Sequence, residues 1–153
     1  MNTAARIRGK KFVYWNGFCP VHAHMTHQDV AHARMVHPNA LVIVHPECRR
    51  EVVELADASL STGGMLKFAR ETQAKEIVVG TETGMLHRLR KENPDKSFYA
   101  LSEKAVCRNM KLTNLEKILW SLEDMKTEIT VPKDIADGAR TAIEKMLVIG
   151  RQD

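Results

Sequence analysis

The chain has 153 residues, 44% of them apolar and 27% charged, with a formal net charge of +4. That is one ordinary domain or slightly more, with the mix of a soluble globular protein. Apolar residues are spread through the chain, which excludes general disorder. The longest apolar runs, such as Ala40 to Val44, fall far short of the roughly 20 residues that span a bilayer.

The basic excess is mild and suits an anionic small molecule. Nucleic-acid binding would want a basic stripe interleaved with aromatics, and only 5% of residues are aromatic. The strongest basic patch, His87 to Lys91, reads as the solvated face of a helix. No charged-then-apolar leader opens the chain, so the expected compartment is the cytoplasm and the three cysteines are expected to be free thiols. No C-x-x-C pair supports a zinc ribbon.

In chain order, Phe12 to Trp15 reads as a first strand. Thr26, with Asp29 reaching back, caps a helix that runs to about His37, where Pro38-Asn39 ends it. Leu41 to Val44 is the clearest strand, followed by a helical stretch from Arg49 to Asp57. After a short Ala58-Ser59-Leu60 run, Thr62 to about Thr72 is helical, with Met65, Leu66 and Ala69 on one face. Glu76 to Gly80 is a third strand, Gly84 to Lys91 a helix stopped by Asn93-Pro94-Asp95, and Ser97 to Ala100 a fourth strand. Continuous apolar runs suggest strands buried on both faces, and the βαβα order argues a parallel α/β sheet with right-handed crossovers.

After Cys107 the character changes. Thr113 to Met125 is an amphipathic helix with Thr113 and Glu116 as a capping box, Glu128 to Val131 a short edge strand, and Pro132 sits in the first turn of a helix that runs to about Val148, before Gly150.

In open parallel sheets, ligands bind at the carboxyl ends of strands. The chemistry-bearing groups fall there: Cys19 and His22, then His45, Glu47 and Cys48, then Ser61-Thr62-Gly63-Gly64, then Thr81-Glu82-Thr83-Gly84, then Cys107-Arg108-Asn109-Met110. Each alone has a plain structural reading. A free cysteine is often core filler, His22 and His45 could cap, and Glu47 and Glu82 suit the first turn of a helix. The Ser61-Thr62 pair with two glycines at a helix start is equally an anion site or an ordinary N-cap. His24, His27 and His32 do not share the i, i+4 spacing of a metal-binding helix and read as surface or capping residues.

Taken together, several segments resemble quinolinate synthase. They are Trp15 to His22, His45 to Cys48, Ala56-Asp57, Ser61 to Gly63, Gly80 to Met85, His87 to Leu89, Asn93 to Lys96, and Cys107 to Lys111 with Thr113 to Glu116. The resemblance implies one domain of a pseudo-threefold, three-domain enzyme about twice this length. Residues 1–10 would be a loosely held remnant of the preceding domain or a linker. Residues 11–106 would be the third α/β domain, a three-layer sandwich with a short parallel sheet. Residues 107–153 would be a cluster-ligand turn and closing helices. The implied reaction condenses iminoaspartate with dihydroxyacetone phosphate to quinolinate in NAD biosynthesis, at a [4Fe–4S] cluster with one iron open as a Lewis acid. By motif, Cys19 and Cys107 correspond to two cluster ligands, the third lying outside this chain, and Cys48 is a bystander. Glu47 corresponds to the general acid or base, His22 and His45 to substrate-orienting residues, Ser61 and Thr62 to anion binders, and Met110 to a pocket-lining residue. Glu82 and Arg50 also match.

The implied partners are the N-terminal half and an L-aspartate oxidase or dehydrogenase that supplies iminoaspartate. Alone, the chain is expected to have little or no activity and to self-associate through exposed apolar area. A non-catalytic iron–sulfur or anion-binding module, or one subunit of a split enzyme, is the alternative.

Overall fold

A computed structural model of the protein describes residues 2, 7, 9 and 11–149. It separates into two compact units, the first ending at Arg108 and the second beginning at Asn109.

The first unit is built on four parallel strands: β1 (Leu41–Val44), β2 (Ala58–Ser59), β3 (Glu76–Gly80) and β4 (Ser97–Ala100), in the order β2-β1-β3-β4. Val42 pairs with Val78 and Val44 with Gly80, while Ile77 pairs with Phe98. Helices α1 (Pro20–Ala23), α2 (His27–Val36), α3 (Arg50–Leu55), α4 (Thr62–Glu71) and α5 (Met85–Glu92) cover the sheet. Strand side chains alternate between two cores. Val42, Val44 and Val78 pack with Met25, Val30, Ala33 and Val52 on one face. Ile43, Ile77, Val79 and Phe98 pack with Met65, Ala69, Leu86 and Leu89 on the other. Two apolar clusters flanking one parallel sheet make the expected three-layer α/β sandwich.

The ends of the elements follow local chemistry. The Thr26 hydroxyl accepts from the Asp29 amide and the Asp29 carboxylate accepts from the Thr26 amide, a complete capping box. Lys96, from the Asn93 to Lys96 turn, donates through Nζ to the carbonyls of Ala69 and Thr72 at 2.6 Å each. Its ammonium so satisfies acceptors at the carboxyl end of α4. Gly80 ends β3 where only a glycine fits: a Cβ there would stand 2.7 Å from Val44 Cγ1 and 3.0 Å from Leu101 Cδ2.

Three expectations are corrected. Phe12 to Trp15 forms no strand and pairs with none among the described residues; Val13 and Trp15 are each 92% exposed. Strand propensity is expressed only where a neighbour supplies the ladder, and none is in reach here. Glu128 to Val131 is likewise unpaired coil. The second unit holds a 3-10 turn (Met110–Leu112), α6 (Leu115–Asp124) and α7 (Lys133–Ile149). The cap of α6 is Asn114, whose side-chain oxygen accepts from the Lys117 amide at 3.0 Å, rather than Thr113. Asn is at least as good an N-cap as Thr, and here it lies one residue nearer the helical register. The expectations for residues 1–10 and Gly150 fall mostly outside the described residues, although the Asn2 side chain donates through Nδ2 to the carbonyls of Pro46 and Cys48.

Candidate functional site

The loops leaving β1 and β3 lie side by side because their strands are neighbours in exact register, Val44 opposite Gly80. His45 follows the first and Thr81 the second, and the His45 amide still donates to the Gly80 carbonyl at 2.9 Å. Helix α1 delivers His22 against both. Pro20 opens that helix, and Cys19 and His22, three residues apart, share one side of its single turn.

His22 is buried. Its Nδ1 lies 2.9 Å from Glu47 Oε2 and its Nε2 lies 2.9 Å from Thr81 Oγ1. An ionised Glu47 can only accept, so Nδ1–H donates to it and Nε2 accepts from the threonine hydroxyl. The His45 ring stacks on His22 with centroids 4.3 Å apart and planes 9° from parallel. His45 Nδ1 accepts from the Glu47 amide at 3.3 Å, which leaves Nε2 as its N–H donor. Burial, reinforced by the neighbouring His22 and opposed by Glu47, holds the His45 pKa below its ordinary value of 6.5. The Glu47 side chain remains 56% exposed. A sulfur of Cys19, a ring nitrogen of His22 and a carboxylate oxygen of Glu47 all lie within 4.8 Å of one another.

Cys107 is tied to the same rim from its other end. Its amide donates to Glu82 Oε1 at 3.3 Å, while Glu82 Oε2 accepts from the Gly84 amide at 2.8 Å. The loop after β3 thus touches α1 through Thr81 and the Cys107 backbone through Glu82. Cys19 and Cys107 are both part-exposed, whereas Cys48 is buried. The Cys48 thiol packs 3.8 Å from Met25 Sδ and 3.6 Å from the Gly80 carbonyl. Burial pushes its pKa up to about 11.

Ser61 and Thr62 are exposed at the start of α4. Ser61 Oγ accepts from the Gly64 amide at 3.1 Å, a true N-cap, while the amides of Thr62 and Gly63 have no intrahelical acceptor by position. Arg50 turns outward to Glu54, 2.7 Å away along α3. His24 and His37 take the C-cap positions of α1 and α2, and the His37 ring stacks on Tyr99 at 3.7 Å. His87, Arg88, Arg90 and Lys91 are exposed along α5. The sequence placed Thr81 in the loop at the carboxyl end of β3 but gave it no role; its hydrogen bond to His22 is what the structure adds.

These residues define a parallel α/β domain with thiol, imidazole and carboxylate groups gathered on loops at the carboxyl edge of the sheet, the place where such domains bind ligands. Residues 1–148 match the family model described as Quinolinate synthetase A protein (NadA), and the chain belongs to that family. It is 50% identical over 140 residues to the quinolinate synthase of Thermodesulfovibrio yellowstonii, covering 92% of this chain and 46% of that one. It is 53% identical over 138 residues to that of Dehalococcoides mccartyi, covering 90% and 46%. It is 49% identical over 146 residues to that of Methanoregula boonei, covering 95% and 48%. The chain therefore spans about half the length of the curated relatives it matches.

Proposed function

We propose that this chain supplies the acid–base and part of the metal-binding machinery of a quinolinate synthase, acting with the remainder of a full-length enzyme. The reaction is the condensation of iminoaspartate with dihydroxyacetone phosphate to quinolinate. The observation that carries this reading is the Glu47 carboxylate, open to ligand on one side and held on the other by buried His22. That pairing fits a group that exchanges protons with a substrate and must not swing away.

The residues take distinct roles. Oε2 of Glu47 receives the His22 N–H, so Oε1 is the oxygen that takes or delivers a substrate proton. His22 positions Glu47 and is itself fixed by Thr81. His45, kept neutral by its lowered pKa, offers its Nε2–H to a substrate carboxylate or hydroxyl oxygen. Ser61 and Thr62, with the first amides of α4, bind an anionic group, and both proposed substrates carry one.

The cysteines fit an iron–sulfur cluster in donor chemistry and in exposure. Cys19 and Cys107 are accessible soft donors on the loop rim, and Cys48 is sealed in the core where no cluster could reach it. Cys19 and Cys107 would hold it, with a third thiolate from outside this chain, and a bound cluster with one iron open supplies Lewis acidity toward a substrate oxygen.

The test is anaerobic, with iron and sulfide supplied. This chain is assayed for quinolinate alone and after mixing with the remaining half of a full-length relative. Activity only in the mixture, lost in Glu47→Gln, is the expected result. Full activity of the chain alone, or an unaffected Glu47→Gln mixture, would sink the reading.

A further inference from the structure

We infer that Asn2 is a positioning residue for Glu47. Its side-chain amide clamps the turn that carries this carboxylate and so sets where the carboxylate meets His22 and a substrate. The inference rests on the reading of Glu47 as the proton-exchanging group, and it gives a role to a residue from a stretch of chain that supplies none of the other site groups.

Glu47 sits in a tight turn that leaves the end of β1. The Cys48 amide donates to the His45 carbonyl at 3.0 Å, which makes His45 to Cys48 a β-turn with Pro46 and Glu47 at its two central positions. Pro46 occupies the first of these, where a ring-fixed φ is favoured. The Glu47 amide is used inside the turn, donating to His45 Nδ1 at 3.3 Å. The carbonyls of Pro46 and Cys48, one on each side of Glu47, then need donors from elsewhere. Asn2 Nδ2 supplies both, at 2.9 Å to the Pro46 oxygen and 2.8 Å to the Cys48 oxygen. These contacts span 44 and 46 positions of chain, so they are tertiary contacts and no by-product of the local turn.

The side chain suits the task. A primary amide carries two N–H groups on one nitrogen, one for each carbonyl. A carboxylate of the same shape brings only acceptors, and a hydroxyl brings one proton. With the peptide carbonyls on both sides of Glu47 fixed, its backbone cannot tilt without breaking a hydrogen bond. The carboxylate thus keeps its 2.9 Å contact with His22 Nδ1 although the Glu47 side chain is 56% exposed. An exposed acid–base group has no direction of its own, and small misplacements at a reacting centre cost much in rate. The clamp also acts on the tautomer of His22. Glu47 held against Nδ1 keeps the ring proton there, whereas a free imidazole prefers it on Nε2.

The experiment follows the His22 ring nitrogens of the full chain by nitrogen-15 NMR, metal-free and reduced, at mildly alkaline pH where the ring is neutral. The unaltered chain should carry the proton on Nδ1. Asn2→Asp, nearly isosteric but without the two donors, and Asn2→Leu should each move it toward Nε2, with thermal melting showing that both variants are folded. Lys96→Met, which loosens the same unit at the amino edge of the sheet, is the control and should leave the proton on Nδ1. In the anaerobic mixture with the remaining half of a full-length relative, Asn2→Leu should lower kcat by about tenfold or more and change KM by less than about twofold, the split of a misplaced group and not of a lost binding contact. The inference is overturned if the unaltered chain holds the Nε2 form, if both Asn2 variants keep its spectrum, if Lys96→Met shifts the proton equally, or if an active mixture keeps its kcat in Asn2→Leu. A mixture inactive even with the unaltered chain counts against the catalytic reading of Glu47, and the spectra then decide the clamp by themselves.

Discussion

The imidazoles of His22 and His45 lie face to face, 4.3 Å between centroids, although they come from a one-turn helix and a strand end. Burial disfavours a charge on His45, and the neighbouring His22 adds to that cost. The His45 pKa in the folded protein lies below the 6.5 of the unfolded chain. As the pH falls below 6.5, the unfolded chain takes up this proton first, so the stability due to neutral His45 is present above 6.5 and is lost as the pH drops through the folded value. Proton NMR should give a His45 midpoint below 6.5. His45→Asn should flatten the acid limb of urea-unfolding stability against pH. A midpoint above 6.5 would contradict the burial argument.

Cys48 gives the opposite sign. Its folded pKa of about 11 exceeds the 9.0 of an unfolded thiol. The corresponding stability is fully present below 9.0 and declines as the pH rises toward 11, because the unfolded chain ionises first. Alkylation of the folded, metal-free chain near neutral pH, read by peptide mass spectrometry, should label Cys19 and Cys107 and reach Cys48 only after denaturation. Equal labelling of all three would refute the buried placement.

Gly80→Ala should destabilise the first unit by about 1–3 kcal/mol, because the new methyl meets a β-branched side chain fixed in the adjacent strand. Thermal melting measures it. In a double-mutant cycle with Val44→Ala the combined loss should be smaller than the sum of the two single losses, since the closest clash is with Val44.

Lys96→Met keeps the aliphatic stem and removes both hydrogen bonds to the end of α4. The expected cost is about 1–3 kcal/mol, the range for hydrogen bonds from a charged donor that leave acceptors partly buried. Urea denaturation of the variant against Lys96→Arg separates loss of charge from loss of shape. An unchanged midpoint in Lys96→Met would show that solvent satisfies those carbonyls as well.

The sequence made legible whatever is decided locally or by topology. Leu41–Val44 and Glu76–Gly80 are apolar runs with no alternative to burial, and the Thr26–Asp29 box is written within four residues. Site placement followed from the parallel order, which puts every βα loop on one edge. Partner choice was not legible. His22 finds Thr81 across 59 positions, and nothing near either residue announces it. The same limit explains the failed strand at Phe12 to Trp15: its composition is right, but its ladder depends on a neighbour that local composition cannot specify. Asn114 displaced Thr113 as the cap of α6 because adjacent capping residues differ by less than the context does.

Neither α6 nor α7 buries a single described residue, although each carries an apolar stripe. Ten residues wound in water sit near the nucleation limit, and most helical stability in proteins comes from a covered face. A helix this short gains little from its own hydrogen bonds, so cover over the greasy side of α6 and persistence of its winding favour one another.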